Sequence, residues 1–278
     1  MKKISRRSFM AAAAVSVAAL ALTACGGSAS SAASSVASSA ASSEAVSSAA
    51  AADLTTVEAG KLTMATNATF PPYEMTTDTG AFEGIDVDTA QAIAEKLGLE
   101  LQIDDMEFDA ALLSVQQGKA DIVMAGVTVT DERKAVMDFS DSYATAIQSI
   151  IIPEGSDIAT PDDLAGKKIG TQRGTTGYIY CSDDFGEDSV VAYDNGLTAV
   201  QALNNRQVDA VVIDNAPATE YVAANPGLKV LDTSYAEEDY AIGMAKGSAL
   251  EDAVNKALEE LKADGTLQAI VDKYINAN

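Results

Sequence analysis

The sequence predicts an α/β fold built from two lobes. Apolar, strand-like runs alternate with amphipathic helical segments from residue 62 onward, which is the pattern of parallel sheets covered by helices. The alternation starts again after residue 150, and two extended segments, 143–152 and 239–247, lie where the chain would cross between lobes. The first lobe is therefore expected to be discontinuous, made of the first and last segments.

The first lobe is predicted to contain strands at 62–67, 99–104 and 120–126 and helices at 85–98 and 109–118. The helix at 85–98 carries its apolar residues on one face and ends at Gly98. The run ADIVMAG at 120–126 is apolar throughout, as expected of a parallel strand buried on both faces. After this run, Thr130 begins a helix-start signal that places Arg133 in the first turn.

The second lobe is predicted to contain strands at 167–172, 189–194 and 208–214, with helices opening at 174–180, at 196–207 and through 216–225. A late helix at 249–265 then returns to the first lobe, since its apolar residues are in phase with a buried face. The predicted boundaries are 57–146 with 241–278 for lobe 1 and 147–240 for lobe 2.

The first 56 residues indicate export and anchoring. A basic start precedes the apolar run 10–22, which is too short to span a bilayer. LTAC at 22–25 resembles a lipobox, so that residues 1–25 form a lipoprotein signal peptide and Cys25 becomes the lipidated first residue. SRRSFM at 5–10 resembles a twin-arginine signal, and an ordinary Sec signal is the alternative. The Ser- and Ala-rich stretch 26–56 is expected to be a flexible tether.

Composition excludes several classes of function. The chain has no His, which excludes histidine-dependent triads and His-ligated zinc sites. Its net charge of −23 argues against nucleic acid or anionic lipid as a partner. Cys181 is the only cysteine besides Cys25, so we expect no disulfide in the mature domain and interpret Cys181 as a passive thiol. No metal or cofactor is expected.

Polar and aromatic residues gather after the predicted strands, where ligands of α/β sheets bind. They are Asn67, Phe70, Thr128, Arg133, the RGTTG segment with Thr175 and Thr176, and Asp214. This set matches an α-amino acid: Arg133 can bind the carboxylate through two parallel hydrogen bonds, and Asp214 can accept from the ammonium. Phe70 and Phe108 can clamp the side chain.

Each of these residues also has an ordinary interpretation. Arg133 can be an exposed helix cation, Asp214 a plain helix N-cap, and Phe70 and Phe108 core residues. RGTTG lacks the spacing and the Lys-Ser/Thr pair of a phosphate-binding loop. The residues alone leave these alternatives open.

The order of several motifs resembles the polar-amino-acid-binding members of bacterial solute-binding protein family 3, the receptors of ABC-type importers. The motifs, spread over residues 60–275, are ATNATFPPYE, GIDVDTAQAIAEKLG, AGVTVTDERKAVMDFSDSY, LAGKKIGTQRGTTG, ALNNRQVDAVVIDNAPA and ALEELKADGTLQAIVDKY. The resemblance implies a two-lobed, periplasmic-binding-protein-like fold with two hinge strands and a ligand in the cleft between the lobes.

The resemblance also implies roles for individual residues. Gly126, Thr128 and Arg133 match lobe 1 positions that bind the carboxylate and ammonium, Thr175 and Thr176 match lobe 2 carboxylate contacts, Asp214 matches the ammonium-binding acid, and Phe70 and Phe108 match the aromatic clamp. Asn67 and Gln172 match positions that vary with the side chain bound. Both are uncharged amides, so the expected ligand is a neutral polar L-amino acid, with glutamine or cystine leading.

The expected function is therefore that of a monomeric extracytoplasmic receptor, lipid-anchored to the outer face of the cell membrane, that delivers an L-amino acid to an ABC permease. No catalytic residue is expected. Nucleic acids are not expected as partners, and contact with the membrane is expected only through the lipid anchor. Two alternatives remain open at this stage. Dehydratases acting on arogenate or prephenate share the fold, and a surface adhesin would bind no amino acid.

Overall fold

The computed structural model describes residues 54–275 of the 278-residue chain. The predicted signal peptide, Cys25 and the tether as far as residue 53 lie outside the described residues, so the statements about them stay predictions. Between residues 54 and 275, no helix combines the length and apolar character needed to span a membrane.

The strands are, in chain order, Lys61–Thr66 (β1), Thr69–Phe70 (β2), Glu74–Thr76 (β3), Phe82–Glu83 (β4), Glu100–Asp105 (β5), Ile122–Val123 (β6), Met137–Phe139 (β7), Ala144–Pro153 (β8), Ile169–Gln172 (β9), Val190–Tyr193 (β10), Ala210–Asp214 (β11), Leu228–Val230 (β12), Ala236–Tyr240 (β13) and Gly243–Ala245 (β14). The α-helices are Ile85–Leu97 (α1), Phe108–Gln116 (α2), Asp131–Lys134 (α3), Thr176–Phe185 (α4), Gly196–Asn204 (α5), Asn215–Ala224 (α6), Glu251–Ala263 (α7) and Thr266–Ile275 (α8). Pro161–Leu164 and Glu187–Ser189 form short 3₁₀ turns.

One sheet has five strands in the order β5-β1-β6-β14-β7. Strand β1 pairs in parallel with β5 and β6, whereas β14 runs antiparallel to β6 and β7. Because β14 comes late in the chain, this sheet takes strands from both the beginning and the end of the described residues. Its core includes buried residues of β1, α1 and α7, such as Leu62, Ile93 and Leu258.

The other sheet has the order β10-β9-β11-β8-β12, with β13 pairing with β8. Strand β9 is parallel to β10 and β11, while β8 is antiparallel to β11, β12 and β13. Both sheets are thus mixed where the sequence predicted parallel sheets. The parallel pairs β1-β5 and β9-β10 are connected through helices α1 and α4. Strands β8 and β14 instead run opposite to every strand with which they pair.

Two extended segments join the lobes, as predicted. Strands β8 and β13 lie side by side, with Gln148 opposite Ala236 and Ala144 opposite Tyr240. Residue Thr128 forms an isolated bridge with Tyr240. The two-lobed α/β architecture with two hinge strands is therefore confirmed.

Several elements differ in extent from the prediction. The apolar run 120–126 holds a strand only at Ile122–Val123, because the chain leaves the sheet and turns at Gly126, whose φ is 56°. The segment 239–247 contains the end of β13 and all of β14 as separate strands. The sequence patterns did not predict the small three-stranded sheet β2-β3-β4 or helix α8.

Candidate ligand-binding site

A cavity lies between the two large sheets. All ten residues predicted to bind the ligand line this cavity. These residues are Asn67, Phe70, Phe108, Gly126, Thr128, Arg133, Gln172, Thr175, Thr176 and Asp214. The strand ends that supply them come from both lobes, as the sheet topology requires.

Arg133 is positioned by the short helix α3. The Thr130 side chain caps this helix by accepting a hydrogen bond from the backbone N–H of Arg133. The guanidinium donates from Nη1 to the carbonyl oxygen of Thr128 at 2.7 Å and from Nη2 to that of Gly174 at 3.1 Å. Its carbon lies 5.4 Å from the centre of the Phe108 ring. Only 8% of Arg133 is exposed, so it is not the exposed helix cation of the alternative interpretation.

The charge of Arg133 is balanced by Glu238, but its guanidinium donates only to uncharged acceptors among the described residues. Burial lowers the pKa of its guanidinium from the usual value, and the carboxylate of Glu238 opposes that effect. Within residues 54–275, both hydrogen bonds of the guanidinium go to backbone carbonyls, which carry no formal charge. An incoming carboxylate would therefore add the charge-assisted hydrogen bonds that this cation lacks.

Asp214 ends β11 and begins α6. Its Oδ1 accepts from the N–H of Ala216 at 3.0 Å, so it is the N-cap that the ordinary interpretation expected. Its Oδ2 accepts from the N–H of Ile147 on the hinge strand β8 at 3.1 Å. Burial raises the pKa of this carboxyl to about 6, against the lowering effect of both N–H groups. The residue thus combines a capping role with a place in the cavity wall, 2% exposed.

Hydroxyl groups from the two lobes meet in the cavity. The Thr128 hydroxyl donates to Glu238 Oε2 at 3.0 Å and lies 3.4 Å from the Thr176 hydroxyl. Thr175 caps α4 by accepting from the N–H of Tyr178. Because the first N–H groups of a helix have no partner within it, the start of α4 offers donors to an anion.

The two amide side chains predicted to face the ligand contact each other. Gln172 Nε2 donates to Asn67 Oδ1 at 2.9 Å, across the cleft. Asn67 is fixed on its other side by donating from Nδ2 to the carbonyl oxygen of Met106 at 2.9 Å. The pair therefore presents groups from both lobes at one point of the cavity.

The aromatic part of the cavity depends on Gly126. A Cβ atom at this residue would lie 2.9 Å from Phe70 Cε1 and 3.0 Å from Tyr240 Cε2. With its φ of 56°, the position favours glycine on both steric and backbone grounds. Phe108 is 5% exposed and Phe70 half-buried, so both also belong to the packed interior.

Residues outside the predicted set also line the cavity, namely Glu74, Ala125, Gln148, Val212, Ile213 and Tyr240. Gln148 and Glu238 come from the paired hinge strands, and Gln148 Nε2 donates to Glu238 Oε2 at 3.0 Å. The signal for Gln148 was present, since it is the one amide in the extended segment 143–152. Glu238 lies in an acidic sequence, EED, that carries no mark of burial.

The structure has a closed arrangement of the two lobes. Direct contacts across the cleft include Gln172 with Asn67, Arg133 with Gly174, and the Tyr221 hydroxyl with the carbonyl oxygen of Thr69. Within residues 54–275, no cluster of three or more acidic or cysteine side chains is suited to a metal ion.

Comparison with known proteins identifies the family. Residues 62–277 match the bacterial extracellular solute-binding proteins, family 3. The chain belongs to this family. The resemblance predicted from the sequence motifs is thereby confirmed, and the family's members act outside the cytoplasm.

Two relatives align with this family-3 protein over most of the length of both chains. A probable histidine-binding protein of Neisseria gonorrhoeae is 34% identical over 95% of this chain and 94% of its own length. The L-cystine-binding protein TcyJ of Escherichia coli strain K12 is 32% identical over 80% of this chain and 85% of its own length. The relatives are amino-acid-binding proteins, several of them named for ABC transporters.

Two solved structures show the same fold. They are described as an ancestral arginine-binding protein bound to glutamine and bound to arginine. They are 42% and 43% identical to this chain, with TM-scores of 0.73 and 0.74, and each comparison covers 78% of this chain and 98% of the other.

Proposed function

We propose that this protein is the receptor of an ABC-type importer and closes on one free L-amino acid with a neutral polar side chain. The observation that carries the proposal is the pair of buried, oppositely charged side chains, Arg133 and Asp214, in the wall of one cavity. An α-amino acid brings a carboxylate and an ammonium that complement both charges.

The lobes have separate tasks in this proposal. Arg133 and Thr128 of lobe 1, with the helix start at Thr175 and Thr176 of lobe 2, bind the α-carboxylate, while Asp214 binds the α-ammonium. A ligand held by both lobes stabilises the closed form, and a permease can distinguish this form from the open one.

The proposed side-chain class rests on Asn67 and Gln172. Their amides supply hydrogen-bond donors and acceptors without charge, which suits glutamine or cystine. Relatives named as cystine-binding and glutamine-binding proteins support this class. Other relatives are named as histidine-binding and arginine-binding proteins, so the family includes receptors for other side chains.

The proposed setting is the outer face of the cell membrane, with Cys25 as lipid anchor, the permease subunits as partners and the protein as a monomer. The lobe boundaries 57–146 with 241–278 and 147–240 belong to the same proposal. The enzyme alternative is disfavoured because the relatives are named as amino-acid-binding proteins. Incubation with arogenate or prephenate should therefore give no product.

A thermal-shift screen of the protein amino acids and cystine tests the proposal. A ligand at about 1,000 times its Kd stabilises a protein by about 4 kcal/mol. We expect the largest rise in Tm from a neutral polar L-amino acid. The absence of a shift with every amino acid would contradict the proposal and favour the adhesin alternative.

A further inference from the structure

A second acidic group, Glu74, lies in the wall of the ligand cavity and next to a further buried carboxyl, Asp86. Glu74 is on β3 and Asp86 in the first turn of α1, and both are 0% exposed. Gly84 permits this close approach, since a Cβ there would lie 2.1 Å from the Tyr73 carbonyl oxygen and 2.9 Å from Glu74 Cα. The N–H of Asp86 donates to the same carbonyl at 2.8 Å.

The buried acids Glu74 and Asp86 are neighbours that differ in their hydrogen bonds. Among the described residues, no group donates a hydrogen bond to either oxygen of Glu74, and Asp86 is the charged group that raises its pKa most. Two carboxyl groups form a hydrogen bond only when one of them is protonated. Asp86 Oδ2 accepts from the Gly126 N–H at 3.0 Å, so Asp86 is the better site for the negative charge and Glu74 the better site for the proton.

The charged groups that act most strongly on Glu74 within residues 54–275 are all acids. The acids that raise its pKa are Asp86 from α1, Asp105 from β5 and Asp214 from β11. Besides burial, the charge of Glu74 in turn raises the pKa values of four neighbouring tyrosines, Tyr73, Tyr143, Tyr221 and Tyr240. Burial, followed by Asp86, raises the pKa of Glu74 well above the ordinary glutamate range. Burial also raises the pKa of Asp86 to about 6. The Gly126 N–H and the Tyr143 hydroxyl lower this pKa and so limit the rise. Arg133 lines the same cavity, but its guanidinium donates to the carbonyl oxygens of Thr128 and Gly174.

We infer that Glu74 is a specificity-determining residue that distinguishes neutral from cationic amino acids by means of its proton. This inference rests on the proposed function. A neutral side chain binds while the Glu74–Asp86 pair keeps its proton. A cationic side chain, an ammonium or a guanidinium, binds only when the O–H bond of this pair breaks and the proton passes to the buffer. The carboxylate charge exposed by this loss pairs with the cation. Without a cation, two buried carboxylates would repel each other, and without the ionisation, a buried cation would have no counter-charge.

Calorimetry of the wild-type protein in two buffers with different ionisation enthalpies, phosphate and Tris, tests the inference. At pH about 7.5, well above the Asp214 pKa of about 6, binding of L-arginine or L-lysine should release about one proton, and binding of L-glutamine or L-cystine none. The affinity for arginine should rise up to about tenfold for each unit by which the pH increases. The affinity for the neutral ligand should change far less over the same range.

Variant Glu74→Gln should bind the neutral ligand, lose the proton release and bind arginine at least about tenfold more weakly. Glu83→Gln is the matched control, since Glu83 lies on the neighbouring strand β4 and does not line the cavity. Binding of arginine and lysine without proton release, or no binding of either at any pH, would overturn the inference and leave the proposed function intact. Failure of every amino acid to bind would overturn both. The buffer comparison uses the wild-type protein, so it holds even where Glu74→Gln fails to fold.

Discussion

Arg133 donates from Nη2 to the carbonyl oxygen of Gly174 at 3.1 Å, and in this way the proposed carboxylate-binding residue of one lobe contacts the loop before α4 in the other. A ligand carboxylate at this point would contact the guanidinium and the helix start together. Closure and recognition therefore use the same atoms. A ligand held by only one lobe would lose half of these contacts.

Replacing Arg133 with Lys should abolish most binding while the fold survives. Lysine keeps the charge but cannot form two parallel hydrogen bonds with a carboxylate. Truncating one partner of a buried charge pair costs about 2–5 kcal/mol, or about 30-fold or more in affinity. Calorimetry gives the affinity, and circular dichroism checks the fold. The exposed neighbour Lys134 provides the control variant Lys134→Ala, which should bind as the wild type does.

Replacing Asp214 with Asn should weaken binding through the α-ammonium. A ligand analogue without its α-amino group should bind the wild type poorly and should lose much less affinity for the variant. Combining the protein and ligand changes gives a double-mutant cycle. Additive losses in this cycle would show that Asp214 does not contact the ammonium directly.

The affinity for a neutral amino acid should fall as the pH decreases below the pKa of Asp214. That pKa is raised by burial to about 6 in the ligand-free protein. Pairing with an ammonium requires the ionised carboxylate, so the affinity is greatest above this pKa and falls by up to about tenfold per pH unit below it. Titrations between pH about 5 and about 8 measure this slope. Variant Asp214→Asn should lack the part of the slope due to this residue, and an unchanged slope would assign the titration to another group such as Asp86.

Replacing Cys25 with Ser should release the protein from the membrane fraction or leave an uncleaved signal peptide. The serine hydroxyl does not replace the thiol as the lipid-accepting group of a lipobox. Labelling with a palmitate analogue, followed by fractionation, measures the anchoring. Equal labelling of the variant and the wild type would show that the lipid is not attached at Cys25.

Most of the fold was predictable because hydrophobic periodicity and helix stop signals are local. The helix ending at Gly98 is an example: it ends at Leu97 in the structure, with Gly98 in the left-handed conformation. The short extent of β6 was not predictable, because Gly126 interrupts an apolar run for a tertiary reason, the close approach of Phe70 and Tyr240. Likewise, the antiparallel strands of both sheets depend on how the hinge segments enter them.

The cavity residues at strand ends were predictable because the carboxyl ends of parallel strands meet at one edge of a sheet. Residues on the hinge strands and β3 were harder to assign. Nothing in the sequence FPPYE distinguishes a buried Glu74 from an exposed one, since its burial follows from the packing of α1 against β3. Glu238 required the pairing of β13 with β8, a long-range contact.

The most direct test of the central claim is a calorimetric comparison of the amino acid that gives the largest thermal shift with its α-carboxamide. The two compounds differ in the group that we assign to Arg133, and both keep the α-ammonium for Asp214. We predict that the carboxamide binds at least about 30-fold more weakly, as expected when a buried charge loses its partner. Equal affinity for the two compounds would contradict the claim that Arg133 recognises the ligand through its carboxylate.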